Sequence, residues 1–332
     1  MSPDGTIVDS DVAARSANDP RYELEGYRRE LTGYCYRMLG SGGEAEDAVQ
    51  ETMVKAWRAY DRFEGRSSLR SWLFRIATNV CLDMLRGPQR RARPMDLGPS
   101  VTVETAVLAP QPEHRWVQPI ADGKVLDTDA DPAEATAARE SIRLAFVAAL
   151  QHLPPRQRAA LILCEVLRWS AAEAAELLET SVPAVNSALQ RARATMATVE
   201  REPLDDTLDP AHQALLARYV DAFERYDMTA LTALLHEDAV ITMPPFDIWL
   251  QGADQVVGWM LGPGSACEGS RLIPVEACGT AGFGSYKPAG SGRLEPWALQ
   301  VIDVRDGRIT GHHNFIFPEL FEQFGLPPHL DA

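Results

Sequence analysis

The chain has 332 residues, 45% of them hydrophobic and 24% charged, with five cysteines and a formal net charge of −15. That length exceeds what one ordinary core fills and points to two or three domains, and the composition excludes a disordered or collagen-like chain. No basic-then-apolar leader opens the sequence, no run reaches the roughly 18–20 apolar residues of a membrane helix, and Cys35, Cys81, Cys164, Cys267 and Cys278 show no metal-ligand or disulfide spacing. A cytoplasmic protein without membrane contact, zinc or disulfides is therefore expected.

The net charge conceals a division. Residues 21–94 sum to +4 and 141–201 to +2, whereas 1–20 sum to −3, 95–140 to −6 and 202–332 to −12. Two basic blocks between acidic tracts imply two anion-facing modules.

Residues 1–20 are expected to be flexible. Helices are predicted over 22–40 and 44–60, separated by the breaker Ser41-Gly42-Gly43. In the second, Val49, Met53, Ala56 and Tyr60 recur at helical spacing as a buried stripe, and Asp47, Gln50, Glu51, Val54 and Arg58 form a mostly polar face. After the loop "DRFEGRSS", a helix carries Leu69, Leu73, Ile76 and Val80 inward, with Arg75, Asn79, Asp83 and Arg86 on another side, and stops at Gly87-Pro88. Residues 95–137 read as an acidic linker, in which Trp116, Val117 and Ile120 are apolar anchors in search of a surface. "ESIRLAFVAALQHL" and "PPRQRAALILCEVLR" are each predicted to be one helix. Ser170 with Glu173 is a capping box, and Ser181 caps the helix that follows. That helix turns Val185, Leu189, Ala192 and Met196 inward and leaves Ser181, Ala184, Asn186, Ser187, Gln190, Arg191 and Arg193 outside, the pattern of a helix-turn-helix. Beyond 205, helices give way to strands, with a hairpin signal at Asp306-Gly307, indicating an α+β domain.

Residues 62–93 carry eight arginines against two acids. Arginines along a helix neutralise successive phosphates, and aromatic rings beside them stack on unpaired bases, at roughly 1–3 kcal/mol per base. Phe63, Arg66, Ser67, Ser68, Trp72, Asn79 and Arg86 together suit a separated nucleic-acid strand. The plainer alternative places Trp72 and Phe74 in the core and the arginines in solvent.

The block "DAVQETMVKAWRAYDRFEGRSSLRSWLFRIATNVCLDMLRGPQRRARP" resembles region 2 of extracytoplasmic-function (ECF) sigma factors in the sigma-70 family, and "LPPRQRAALILCEVLRWSAAEAAELLETSVPAVNSALQRARATM" is similar to their region 4. The resemblance implies a multidomain protein with two all-α modules, region 2 over 21–94 and region 4 over 138–201. It implies that Asp47, Gln50 and Glu51 dock on the β′ clamp of core RNA polymerase, although a solvated helix face is the plainer reading of those residues. Phe63, Arg66, Ser67, Ser68, Trp72, Arg75, Asn79, Arg86, Arg90 and Arg91 would hold the non-template strand of the promoter −10 element. Ser181, Ala184, Asn186, Ser187, Gln190, Arg191 and Arg193 would read the −35 element in duplex DNA, with region 4 against the β flap. This is binding rather than catalysis: the sequence has no GxxxxGK[ST] loop, and no cofactor is expected.

Residues 205–332, through "LLARYVDAFERYDMTALTALLHEDAVITMPP" and "VIDVRDGRITGHHNFIFPELFEQFGLP", resemble SnoaL-like domains of the nuclear-transport-factor-like superfamily, an α+β cone-shaped barrel. Met243, Phe246, Trp249, Trp259, Trp297, His313 and Phe315 are candidates to line a small-molecule pocket, or else are core. Strand alternation turns one of His312 and His313 inward, with Asp303, Asp247 and Asp254 as acids nearby. The acidic domain, tethered to two basic modules, is expected to regulate them in cis. The competing reading is a DNA-binding regulator fused to a SnoaL-like ligand-binding or isomerase domain.

Overall fold

The computed structural model describes residues 20–87, 91–127, 130–198, 204–205, 209–290 and 292–331. The expected flexible N-terminus therefore lies outside the described residues, apart from Pro20, which opens a 3-10 turn, Pro20–Tyr27.

The first helical module comprises α1 (Arg28–Leu39), α2 (Gly42–Ala59) and α3 (Leu69–Met84). Gly40, at φ 75°, closes α1 by donating to Tyr36 O at 2.7 Å, the left-handed cap that glycine takes without a Cβ penalty. Ser41 caps α2 and Ser68 caps α3, each hydroxyl accepting from the amide three residues on. Leu31, Tyr34, Val49, Ala56, Leu73, Phe74 and Val80 fill the interior, with Met53, Tyr60, Leu69 and Ile76 partly buried around it.

The segment "ESIRLAFVAALQHL" holds one helix, Leu144–Gln151, which starts later than its first residue, and a further helix precedes it in the stretch expected to be linker. The structure has α4 (Pro132–Glu140), a turn, and α5 (Leu144–Gln151). The break follows from the buried Arg37, which donates to Ser141 O at 3.1 Å and Ser141 Oγ at 2.6 Å. A carbonyl taken by a guanidinium is drawn out of the helical ladder. α6 (Pro155–Leu161) runs into a π-helical turn at Ile162–Val166, and α7 (Ala171–Leu177) and α8 (Val182–Met196) form the helix-turn-helix.

The C-terminal domain holds α9 (Pro210–Glu224), α10 (Met228–Thr232), α11 (Ala253–Leu261) and a curved sheet ordered β2-β1-β6-β5-β4-β3. The strands are β1 (Leu235–Thr242), β2 (Trp249–Gln251), β3 (Arg271–Ala277), β4 (Thr280–Pro288), β5 (Arg293–Arg305) and β6 (Arg308–Phe315). A short helix α12 (Leu320–Gln323) and β7 (Leu330–Asp331), paired to β5, close the chain. β1 is parallel to β6, and the Asp306-Gly307 hairpin joins β5 to β6. One sheet face packs on α9–α11 through Tyr219, Phe223, Ile241, Trp259, Phe283 and Ile302.

The opposite face decides the architecture. Leu299, Val301, Phe315 and Phe321 belong to one apolar core with both helical modules and with Trp116, Val117 and Ile120. The three anchors of the acidic segment are thus buried at its centre. Arg91 donates to Trp116 O at 2.7 Å and pairs with Glu44, while Ala92 and Trp116 form an isolated bridge. Further along, residues 98–111 follow the β2 edge: Val101 N donates to Trp249 O at 2.9 Å and Gln111 N to Pro245 O at 2.8 Å. Among the described residues no helix is long and apolar enough to cross a membrane.

Because Trp116 is fully buried where three parts of the chain meet, Trp116→Ala is expected to lower the unfolding free energy by about 3–5 kcal/mol. Urea unfolding followed by circular dichroism checks this, and a loss below about 1 kcal/mol would show that the segment lies outside the core.

Candidate nucleic-acid interface

Two exposed surfaces carry the residues that suit nucleic acid. On α3, Trp72 and Asn79 are seven residues apart and share one side of the helix, and Arg86 follows just past its C-cap. Phe63, in the preceding loop, stacks on Trp72 with centroids 4.9 Å apart and planes at 33°, and Tyr60 lies 6.4 Å from each ring. Trp72 is half-buried, packed on the core by one side and joined to Phe63. The ring is thus part of the core margin and leaves one side partly exposed. The Arg66 and Arg86 side chains are 85% and 79% exposed, each with an acid close by in sequence, Glu64 and Asp83. Asn79 and Ser68 are exposed and Ser67 is half-buried.

Not every arginine of the block belongs to this surface. Arg91 is a correction: at 8% exposure, held by Glu44 and Trp116 O, it pins the acidic segment to the first module. Arg75 is half-buried and turned toward α7, with Nη2 3.4 Å from the Glu176 carboxylate. Arg70 is held by Glu30 and lies 4.7 Å over the Trp169 ring. Arg90 lies outside the described residues.

The second surface is the outer side of α8. Ser181 accepts from Ala184 N at 3.3 Å, and Glu179, at φ 52°, makes the tight joint after α7. Val185, Leu189, Ala192 and Met196 are buried, which leaves Ser181, Ala184, Asn186, Ser187, Gln190, Arg191 and Arg193 exposed. Arg193 pairs with Glu165. The amides and Arg191 on successive turns present the donors and acceptors that base edges in a major groove require.

A third surface lies on α2. Asp47, Gln50 and Glu51 are exposed, as are Val54 (43%) and Trp57 (44%) one and two turns on. An exposed tryptophan in a carboxylate stripe fits a partly apolar, partly basic protein partner. Sequence reasoning missed Trp57, although its position outside the Val49–Tyr60 stripe was the available signal.

The first two surfaces belong to modules that touch. Phe74 of α3 packs on Trp169 with centroids 5.3 Å apart, and Arg158 of α6 is buried with its guanidinium on Met38 O, Gln151 Oε1 and Leu153 O. Gln151 in turn donates to Arg37 O at 3.3 Å.

In the C-terminal domain the candidate pocket residues divide between two sheet faces. Met243 and Trp259 are in the helix-covered core with Phe246 beside them. Trp249 donates Nε1–H to Gly98 O at 2.8 Å, and Trp297 lies under Lys287 Nζ, 3.3 Å from its ring centroid. His313 and Phe315 are corrections, since alternation sends both to the opposite face. There His313 meets Thr242 Oγ1 at 3.0 Å and Asp303 Oδ2 at 3.2 Å, and Phe315 joins the shared core. His312 is the histidine that faces the helices. Its Nε2 is 3.0 Å from the Tyr219 hydroxyl, which donates to Gln300 Oε1 at 2.7 Å. Burial, assisted by His313, pushes its pKa down to about 3, so the ring is neutral at physiological pH.

Comparison with known proteins agrees with this geometry. The sigma-70 region 2 family matches residues 24–91, the sigma-70 region 4 family residues 143–196, and the SnoaL-like domain family residues 216–312. The chain is 44% identical to the ECF RNA polymerase sigma factor SigG of Mycobacterium tuberculosis, over 98% of this chain and 90% of that one. It is 28% identical to the ECF RNA polymerase sigma factor SigJ of the same organism, over 90% and 92%. The crystal structure of M. tuberculosis SigJ superposes with a TM-score of 0.59 at 25% identity, covering 92% of this chain and 99% of that one.

Reversing charge at Arg66 and Arg86 together is expected to weaken binding of single-stranded DNA. The slope of log K against log salt should fall by about 0.7 for each phosphate left without its arginine, read by fluorescence anisotropy. Arg91→Ala is expected instead to lower thermal stability and leave that slope alone. An unchanged slope in the double variant would remove Arg66 and Arg86 from the binding surface.

Proposed function

The chain belongs to the ECF sigma factors of the sigma-70 family, with a SnoaL-like domain fused behind region 4, and on that premise we propose that it binds core RNA polymerase in the cytoplasm and directs it to −35/−10 promoters. In this reading region 2 covers 21–94 and region 4 covers 138–201, joined by the segment 95–137. The carboxylates Asp47 and Glu51 and the amide Gln50, with Val54 and Trp57 beside them, meet the polymerase clamp, and region 4 rests on the β flap. Asn186, Gln190 and Arg191 of α8 read the −35 duplex. The Tyr60–Phe63–Trp72 rings, flanked by Arg66, Asn79 and Arg86, take bases of the −10 non-template strand as they leave the duplex. Stacking at roughly 1–3 kcal/mol per base offsets an unpairing cost of a few kcal/mol, so strand separation needs capture and no nucleotide hydrolysis.

The observation that carries the regulatory part is the contact of α3 with Trp169 and with Glu176 of α7. Two elements about 25 base pairs apart are separated by about 85 Å along B-form DNA, at roughly 3.4 Å per step. Modules joined through Phe74–Trp169 and Arg70–Trp169 do not reach across that distance. The closed chain therefore opens before it serves a promoter, and the SnoaL-like domain, sharing the same core, holds it closed. Tethering keeps that domain at a high effective concentration, so modest contacts suffice.

The C-terminal domain acts mechanically in this account, without catalysis and without need of a ligand. Three polar side chains of its helix-covered side, Tyr219, Gln300 and His312, are bonded to one another. A general base needs a side chain aimed at a substrate proton. A DNA-binding regulator fused to an enzyme is the weaker reading, because duplex binding alone gives no role to the α2 carboxylates or the α3 ring cluster.

Arg70→Met removes the cation–π contact to Trp169 that joins the two modules, together with a Glu30 pair internal to region 2. With such a contact contributing about 0.5–1 kcal/mol, the concentration of protein giving half-maximal run-off transcription with core polymerase is expected to fall about 2- to 5-fold. An unchanged or higher concentration, with the fold intact by circular dichroism, would contradict restraint by closure.

A further inference from the structure

β3 and β4 are joined by a two-residue turn, Cys278-Gly279, with Ala277 paired to Thr280. Both residues are left-handed, at φ 57° and 72°. Turns of this type favour Asn, Asp or Gly at the first position, because a Cβ is strained there. Cys278 is a departure from that preference, and at 0% exposure it is also a hairpin tip with no access to solvent. Strain that persists asks what the surroundings hold in place.

The tip is inserted between the acidic segment and α1. Cys278 N donates to Ile120 O at 3.0 Å. Its Sγ lies 3.4 Å from Ile120 N and 3.5 Å from the Tyr36 hydroxyl, which itself donates to Gln118 O at 3.0 Å. Gly279 N donates to Asp122 Oδ1 at 2.8 Å, and Ala277 bridges Ala121. Behind the turn the end of α4 closes in: a Cβ on Gly279 would lie 2.6 Å from Arg139 O. Region 2, the acidic segment and α4 thus converge on four residues of the C-terminal domain.

We propose that the Ala277–Thr280 hairpin tip is the latch by which the SnoaL-like domain fastens the acidic segment to region 2, and that its withdrawal frees regions 2 and 4 to separate. The latch rests on the cis-regulatory reading for its consequence, though not for its existence.

It also responds to protons. Asp122 is buried in the junction. Burial pushes its carboxyl up to about 7, with Glu276 of β3 adding to the rise, while the Gly279 amide, Arg139 of α4 and Arg143 beyond it oppose it. The other groups facing it are Tyr36 of α1, raised well above the usual phenol range, and Cys278, pushed up to about 12; burial is the main cause for both, and both stay neutral. The latched form therefore holds a proton that the released carboxyl, ordinary in water, gives up. Closure is strongest at low pH and weakens as pH rises through 7; between pH 6 and pH 8 its equilibrium constant falls about tenfold.

Hydrogen exchange of the full-length chain at constant ionic strength, corrected for intrinsic rates, tests this at residues 118–122 and 277–280. Wild type is expected to lose about tenfold in protection from pH 6 to pH 8. Asp122→Asn keeps the acceptor and removes the charge, so its protection is expected to match at the two pH values. Gly279→Asn keeps a residue that tolerates the left-handed turn and sets a Cβ against Arg139 O, so protection is expected to fall at least tenfold at both. A flat wild-type profile, a wild-type slope in Asp122→Asn, or full protection in Gly279→Asn would each overturn the latch. Exchange that follows expectation while Gly279→Asn initiates run-off transcription like wild type would support the latch and refute its regulatory consequence.

Discussion

Trp116 sits in a core to which α1–α3, α5–α8 and one face of the C-terminal sheet all contribute, and the closed arrangement depends on that sharing. Each module covers apolar surface that its neighbour would otherwise show to water. The boundary is nevertheless crossed by charged and polar side chains: Arg37 on Ser141, Arg91 on Trp116 O and Glu44, Arg158 on Met38 O and Gln151. Burial pushes the Arg37 pKa down to about 10, a measure of how fully its guanidinium is withdrawn from solvent. Groups of this kind regain hydration when an interface parts, so they lower the cost of opening relative to an all-apolar seam. The core makes the closed form stable, and the arginines keep it separable.

Restraint of this kind does not require that the surfaces proposed to bind DNA be covered. The outer side of α8 is exposed and the ring cluster beside α3 is half-buried in the closed form. What closure removes is distance. On the proposed function, regulation turns on whether the two surfaces can stand a promoter's length apart, and polymerase binding to both modules would supply the free energy to separate them.

Much of this was legible in the sequence because it is local. Helical spacing identified Val185, Leu189, Ala192 and Met196 as the inward side of α8, and Ser170, Glu173 and Ser181 marked helix starts. The Asp306-Gly307 turn announced the β5–β6 hairpin. What escaped is long-range. Nothing beside Arg91 shows that Glu44 and Trp116 O, far along the chain, will claim it, and nothing beside Ser141 shows that Arg37 will end a helix there. Alternation separated His312 from His313 without saying which side the helices cover. Net charge suggested that the acidic domain would regulate the basic modules in cis and left the sign of its effect open. At the hairpin tip the contacts are backbone hydrogen bonds, a thiol and a carboxyl, and the contact of region 2 with Trp169 and α7 underlies the proposal of restraint.

The most direct test is the separation of regions 2 and 4, measured by single-molecule energy transfer between labels placed at the exposed Glu25 and Ala194, outside the proposed DNA surfaces. The free chain is expected to give one short distance. The complex with core polymerase and a −35/−10 promoter should give a separation on the order of 85 Å, set by the DNA itself. A free chain already as extended as the promoter complex would contradict restraint by closure.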